Sequence, residues 1–277
     1  MVYKCIEFPN VEFNTTEEMF KELKKNEEKI ISLKKASIFK SCDKAQPNFL
    51  NLDMSKVSAA FKASFDVKED FIYPVISTTR YRDSHKDVHF DTCFNRTVKQ
   101  QQGKVYYALD HELKWNSILA WQKDVRMFVT PLDWSAVGKD YPGQTEALVF
   151  EIAKEKITKA DVLQAIESRS SEFENSIRMR YMKITLGINS MEKDLAVNKA
   201  YFDQRINQIA NKTEVLEDGY FWGVEELQIE KEGSLVVAGG SNDATSIITL
   251  ELAKGTSNNA DPSNDTRTKS VWDQFIN

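Results

Sequence analysis

Ser176 opens the stretch with the most chemical potential. In Ser176-Ile-Arg-Met-Arg-Tyr181 the odd positions Ile177, Met179 and Tyr181 are apolar, and the even positions Ser176, Arg178 and Arg180 are polar. That is the period of a half-buried strand, so the serine shares a face with two arginines. A hydroxyl at the start of a strand, beside fixed positive charge, becomes a nucleophile when a base lies across the sheet. Otherwise it is a turn serine joining a helix to a strand, which is the commoner role. His111 ends the loosely alternating segment Gly103-Lys-Val-Tyr-Tyr-Ala-Leu-Asp-His111. The other two histidines, His85 and His89, sit in one acidic loop, so His111 is the one base for Ser176 if that loop is distant. Imidazole suits the task because it titrates near working pH and can take and return a proton. A lone histidine at a strand end is, however, more often a structural group.

A second constellation is the loop from Arg82 to Asp91. Asp83, His85, Asp87, His89 and Asp91 alternate, so in an extended chain all five face one way. Carboxylate and imidazole on one face can ligate a divalent metal, which would make a metal-dependent hydrolase. A hydrated turn is the ordinary alternative.

The elements that must position these groups can be read from the rest of the chain. It has 277 residues, 29% charged and 41% hydrophobic, with net charge -5. This describes one large soluble globular domain, or one domain with appendages. The negative balance and the lack of a basic run argue against nucleic acid as the main partner. No apolar run approaches a membrane span, and the start has no apolar signal core. Cys5, Cys42 and Cys93 are odd in number and widely spaced, which fits a reducing cytoplasm rather than a disulfide framework or zinc site.

Residues 1–60 read as an N-terminal appendage. A helix starts near Thr15 or Thr16 and carries Met19, Phe20, Leu23, Ile30 and Ile31 to about residue 32. Its lysines, Lys24, Lys25, Lys34 and Lys35, read as a solvated face, and Leu33 to Ser41 as a strand. Phe71–Thr79, Val125–Thr130 and Ala147–Ile152 read as strands. Pro74 suits an edge or a bulge. Pro131-Leu-Asp-Trp134 and Pro142-Gly143 read as turns. Trp115, Trp121 and Trp134 read as core or interface anchors. A helix over 157–168 starts from a capping-box pattern at Thr158 and Asp161 and delivers the chain to the Ser176 strand. Residues 191–212 are helix-like, and Gly219–Val224 returns to β structure with aromatic residues that fill the core. The segment 255–277 reads as a flexible tail with apolar residues at its end.

Three segments together resemble one family. Ser176-Ile-Arg-Met-Arg-Tyr-Met-Lys-Ile184 resembles the nucleophile strand of tailed-phage prohead proteases, the capsid-maturation serine proteases related in fold to herpesvirus assemblin. Tyr106-Tyr-Ala-Leu-Asp-His111-Glu112 resembles the strand ending in the family's catalytic histidine. Glu230-Lys-Glu232-Gly-Ser234-Leu-Val-Val237 resembles its acidic-x-Ser strand. They stand in the family's order within residues 70 to 250. Two positions depart: Arg178 stands where the family usually has glycine, and Asn175 where many relatives have histidine.

The resemblance implies an α+β fold, a mostly antiparallel β-barrel of the assemblin and prohead-protease type with flanking helices. The barrel domain would span 61–254, with a helical insertion at about 190–215. It implies a serine endopeptidase in which Ser176 attacks, His111 is base then acid, and Glu232 orients His111, with Glu230 as substitute. No cofactor or metal is implied. The substrates and partners would be the major capsid protein, its scaffold segment and the protease itself, with no nucleic acid and no membrane. Relatives of the assemblin type often work as dimers. The place of action would be the host cytoplasm, inside the procapsid. Arg178 in place of glycine leaves a second reading, a weakly active scaffold or minor capsid protein.

Overall fold

The computed structural model describes residues 2–36, 65–237 and 240–249. The expected strand over 37–41, the turn-rich segment 42–56, Cys42 and the tail 255–277 lie outside the described residues.

Two helices come first, α1 (Thr16–Lys25) and α2 (Glu27–Ala36). Thr15 caps α1 by accepting the Glu18 N–H at 3.1 Å, which satisfies one of the helix's orphan donors. Met19, Phe20, Leu23 and Ile30 are buried in the same apolar cluster as the long strands described below, so these helices pack on the main core. Where a strand was expected from Leu33, α2 continues to Ala36. Lys34 is not on a solvated face: its ammonium lies 2.7 Å from the Asp87 carboxylate, with its side chain 13% exposed. The lysine run hides this exception, because only tertiary packing separates one lysine from its neighbours.

Among the described residues nine strands form two sheets. β1 (Phe71–Thr78), β5 (Arg126–Asp133), β6 (Gln144–Ala153) and β9 (Ser246–Ile248) form a four-stranded antiparallel sheet in the order β5-β6-β1-β9. β2 (Asp87–His89), β3 (Tyr106–Leu109), β4 (Ile118–Ala120), β7 (Glu174–Ile188) and β8 (Tyr220–Val236) form a mixed sheet. Its spine is β8. One edge of β8 carries β7, antiparallel along nearly its whole length. The other edge carries β2 at its start and β3 at its end, both parallel. The fold is therefore α+β with two sheets, and among the described residues no pairing closes either into a barrel.

Pro74 lies in β1 between β6 and β9, an interior position, and the β1–β6 bulge falls between Val75 and Ser77 rather than at the proline. Pro131 does not turn the chain. It sits inside β5, the outermost strand of its sheet, where a missing N–H costs no ladder bond.

The sheets face one another across the core. Gly233 shows how closely: a Cβ there would meet the Phe150 ring of β6 at 2.9 Å and Ile76 of β1 at 3.2 Å. Gly233 thus points to the core, and alternation along β8 turns its neighbours Glu232 and Ser234 to the opposite face. Tyr220, Phe221 and Trp222 are buried, as the core-filling reading expected.

Among the described residues four further helices follow, α3 (Asn95–Gln101), α4 (Ala160–Arg169), α5 (Ala196–Arg205) and α6 (Lys212–Asp218). α4 starts without the expected capping box. The Thr158 hydroxyl donates to the Ile118 carbonyl and its N–H to that of Leu119, so residue 158 covers the outer edge of β4 instead. Among the described residues no helix is long and apolar enough to cross a membrane.

Candidate active site

The end of β8 is where the expected site residues meet. Ser176 of β7 lies opposite Ser234, and Ala108 of β3 is level with the same residue on the other side. Directly opposed residues on neighbouring antiparallel strands have Cβ atoms about 5 Å apart on one face. Ser176, Ser234 and Glu232 therefore share the face turned away from Gly233.

His111 arrives just beyond β3, in a turn where Asp110 and His111 have φ of 48° and 58°. Left-handed backbone is uncommon for residues with a side chain and persists only where neighbours hold it. The restraints here are explicit. The Asp110 N–H donates to the Leu235 carbonyl and the Glu112 N–H to that of Leu109. The His111 N–H donates to Ser234 Oγ at 3.1 Å, and Arg178 Nη2 donates to the His111 carbonyl at 2.7 Å. So held, the imidazole leans over β8, and His111 Nδ1 lies 2.8 Å from Glu232 Oε1.

Glu232 is fully buried, and both its oxygens are engaged. Oε1 faces His111 and, at 3.3 Å, Arg178 Nε; Oε2 accepts the Ser234 hydroxyl at 2.5 Å. A carboxylate oxygen accepting at Nδ1 fixes the tautomer of a histidine that donates from that atom. Nε2 then becomes the acceptor. It bonds to no described residue, and the His111 side chain is 17% exposed.

No family model, curated protein or solved structure matches this chain.

The choice between Glu230 and Glu232 is settled as a matter of contact. The β7–β8 pairing slips between Ile177 and Met179, where Arg178 alone spans Glu230, Lys231 and Glu232. Lys231 takes φ 70° in this bulge. Bulges re-aim side chains, and here Glu230 pairs with Arg180 at 3.1 Å while Glu232 takes His111. The Ser176 hydroxyl bonds to no described residue, and no hydrogen bond joins it to His111. In substrate-free enzymes such contacts are often long and tighten only when substrate binds.

Three supporting residues escaped the reading of the sequence as parts of a site. Ser234 is tied to both His111 and Glu232, a role that the acidic-x-Ser pattern contained but did not spell out. Arg178 is a brace for His111 and a counter-charge for Glu232. Asn175 is a buried anchor: its side chain accepts from Tyr107 Oη at 2.9 Å and donates to the Ser246 carbonyl at 2.9 Å, and its N–H donates to Thr245 Oγ1. Burial pushes the Tyr107 phenol up, so it remains a donor. Asn175 thereby fixes the strand one residue before Ser176.

The acidic stretch is extended only from Asp87 to His89, which form β2; before that it turns, so its five residues do not line one face. Asp83 Oδ1 accepts the N–H groups of His85 and Asp87, which makes a turn around Lys86 at φ 62°. Asp87 is bound by Lys34 and by the Tyr181 hydroxyl, both at 2.7 Å. Asp91 pairs with Arg80. Among the described residues no group of three or more His, Cys, Asp or Glu side chains could hold a metal ion. Trp134 is buried, whereas Trp115 and Trp121 meet at the surface with ring centroids 5.3 Å apart.

Proposed function

We propose that the chain is a serine endopeptidase of the phage prohead-maturation type, acting on capsid and scaffold segments and on itself inside the procapsid. The observation that carries this reading is the His111–Glu232 pair at 2.8 Å, presented on the same strand-end face as Ser176. Substrate would lie against β7 with its scissile carbonyl over the Ser176 hydroxyl. His111 Nε2 removes the hydroxyl proton as the Oγ–C bond forms, then gives that proton to the leaving amine as the C–N bond breaks. Water repeats the sequence and frees the acyl group. Glu232 stabilises the imidazolium without taking its proton. The two sheets would belong to the assemblin-type barrel expected from the resemblance, and pairing of two copies would follow from the same family.

The test is co-expression with a capsid precursor and mass spectrometry of both proteins. Ser176→Ala should keep the melting temperature of the parent and lose processing by about 10⁴-fold or more. Normal processing by that variant removes Ser176 from the mechanism. A phosphonate probe that labels a residue other than Ser176 does the same.

A further inference from the structure

The connection from β3 to β4 that carries His111 also carries Trp115, and Trp121 follows β4 directly. Trp115 is 80% exposed and Trp121 37%, whereas Trp134 and Trp222 are buried. The two exposed indoles meet with centroids 5.3 Å apart, and Trp121 meets the half-buried Tyr106 ring edge-on at 5.9 Å. An indole left in water adds little to the core, so packing does not account for this cluster.

Strand register puts the cluster on the face of the reacting groups. In the parallel β3–β8 pair Tyr106 is level with Glu232, and Tyr107 with Gly233. Tyr107 meets Phe150 of β6 edge-on at 6.2 Å, so it points into the core as Gly233 does. Alternation then turns Tyr106 to the opposite face, with Glu232, Ser234 and Ser176. Two strand spacings, about 10 Å, separate β7 from β3, and the indoles lie beyond. The His111 imidazole leans over β8 between them. A peptide whose scissile carbonyl sits over Ser176, and whose chain continues past His111, advances about 3.3 Å per residue and reaches the rings after roughly three to six residues.

The backbone under the rings is held. The Ser117 N–H donates to the Lys114 carbonyl and the Asp124 N–H to that of Trp121, both at 2.9 Å. The Ser117 hydroxyl donates to Glu112 Oε2 at 3.2 Å. Rings carried on ordered backbone pay little to bind. The charges around them balance: Glu112 pairs with Lys114, and Lys123 is followed by Asp124. No excess of either sign selects an ion, so the guest that fits is a neutral ring, packed edge-to-face or offset against indole.

We propose, resting on the endopeptidase reading above, that Trp115, Trp121 and Tyr106 receive an aromatic side chain of the peptide being cut and so select its sequence at a distance from the scissile bond. A serine in the same place leaves the indoles in water, and a charged residue has no partner there.

The test uses the full chain and a pool of denatured proteins, with new chain ends read by mass spectrometry. Two synthetic peptides that differ only by phenylalanine or serine at the enriched position then give kcat and KM. The expected result is an aromatic residue at one fixed place, roughly three to six residues from the cut, and a phenylalanine-to-serine ratio in kcat/KM of about 10. Trp115→Ala should lower that ratio to about 2, through a rise in KM for the phenylalanine peptide, and Trp115→Phe should restore most of it. A ratio within one enzyme is insensitive to how much of a variant is folded. Cutting without an aromatic preference, or a ratio unchanged in Trp115→Ala, overturns the assignment and leaves the protease reading standing. So does a parent chain that sediments as a dimer and becomes a monomer in Trp115→Ala, since the rings then belong to a contact between copies. A parent chain that does not cut the pool overturns the assignment as well, and if it also fails to react with a phosphonate probe at Ser176 the protease reading falls with it.

Discussion

Two clusters of buried charge lie along the β7–β8 ribbon. Near the start of β8, Asp87 is enclosed by Lys34 and Tyr181, with Glu7 3.9 Å from the same ammonium. Near its end, Glu232 is enclosed by His111, Arg178 and Ser234. Both centre on a carboxylate with almost no exposure. They differ in what reaches solvent. His89, next to the Asp87 cluster, is 2% exposed, with its Nδ1 3.3 Å from Ser77 Oγ. His111 is partly open, with one ring nitrogen fixed and the other uncommitted. Buried charge by itself is therefore no sign of chemistry. A titratable atom that the fold holds in place but leaves unsatisfied is a better one.

That contrast can be broken by mutation. The largest effect is expected from Glu232→Gln. Replacing the partner of Nδ1 removes the control of the tautomer, and processing should fall by about 10³–10⁴-fold. Processing rates by mass spectrometry would show it, and a fall of only a few-fold would put Glu232 on the structural side of the comparison. Lys34→Met should act the other way round. It leaves Asp87 buried without its cation, at a cost of about 3–5 kcal/mol in folding stability. Denaturant unfolding measures that cost. At a temperature where the variant is still folded, its processing rate should match that of the parent. A stable variant with lost processing would reverse the assignment of the two clusters.

The smallest expected effect is in pH. Burial alone would lower the Lys34 ammonium, but Asp87 and Glu7 outweigh it and hold it above the ordinary lysine value of 10.5. A group whose folded pKa is raised contributes stability that is fully present below its unfolded pKa and is lost as pH rises through the folded value. The melting temperature should therefore fall above pH 10.5, and less steeply in Lys34→Met. Equal slopes for the two proteins would show that Lys34 does not carry the alkaline loss.

Much of the secondary structure was legible because it follows local patterns. The alternation through Ser176–Tyr181 became β7, the apolar spacing of Met19, Phe20 and Leu23 became α1, and Tyr220–Trp222 filled the core. Two errors fell where a distant partner decides, and a third at a local turn. Thr158 had a capping pattern, but its hydroxyl found the Ile118 carbonyl. Lys34 looked like its solvated neighbours, but an aspartate 53 positions away captured it. The acidic loop alternates in sequence and still forms a turn, because Asp83 collects two backbone N–H groups.

The sequence by itself determined which residues could do chemistry: one serine at the head of an alternating strand, one histidine apart from the other two, and two carboxylates two positions apart. Those are local properties of residue type and period. Only the tertiary structure decided that His111 meets Glu232 and not Glu230. That choice depends on the bulge around Lys231 and on a left-handed turn held by Ser234 and Arg178. The register between strands far apart in the chain comes from the packing of two whole sheets, and no short stretch of residues encodes it.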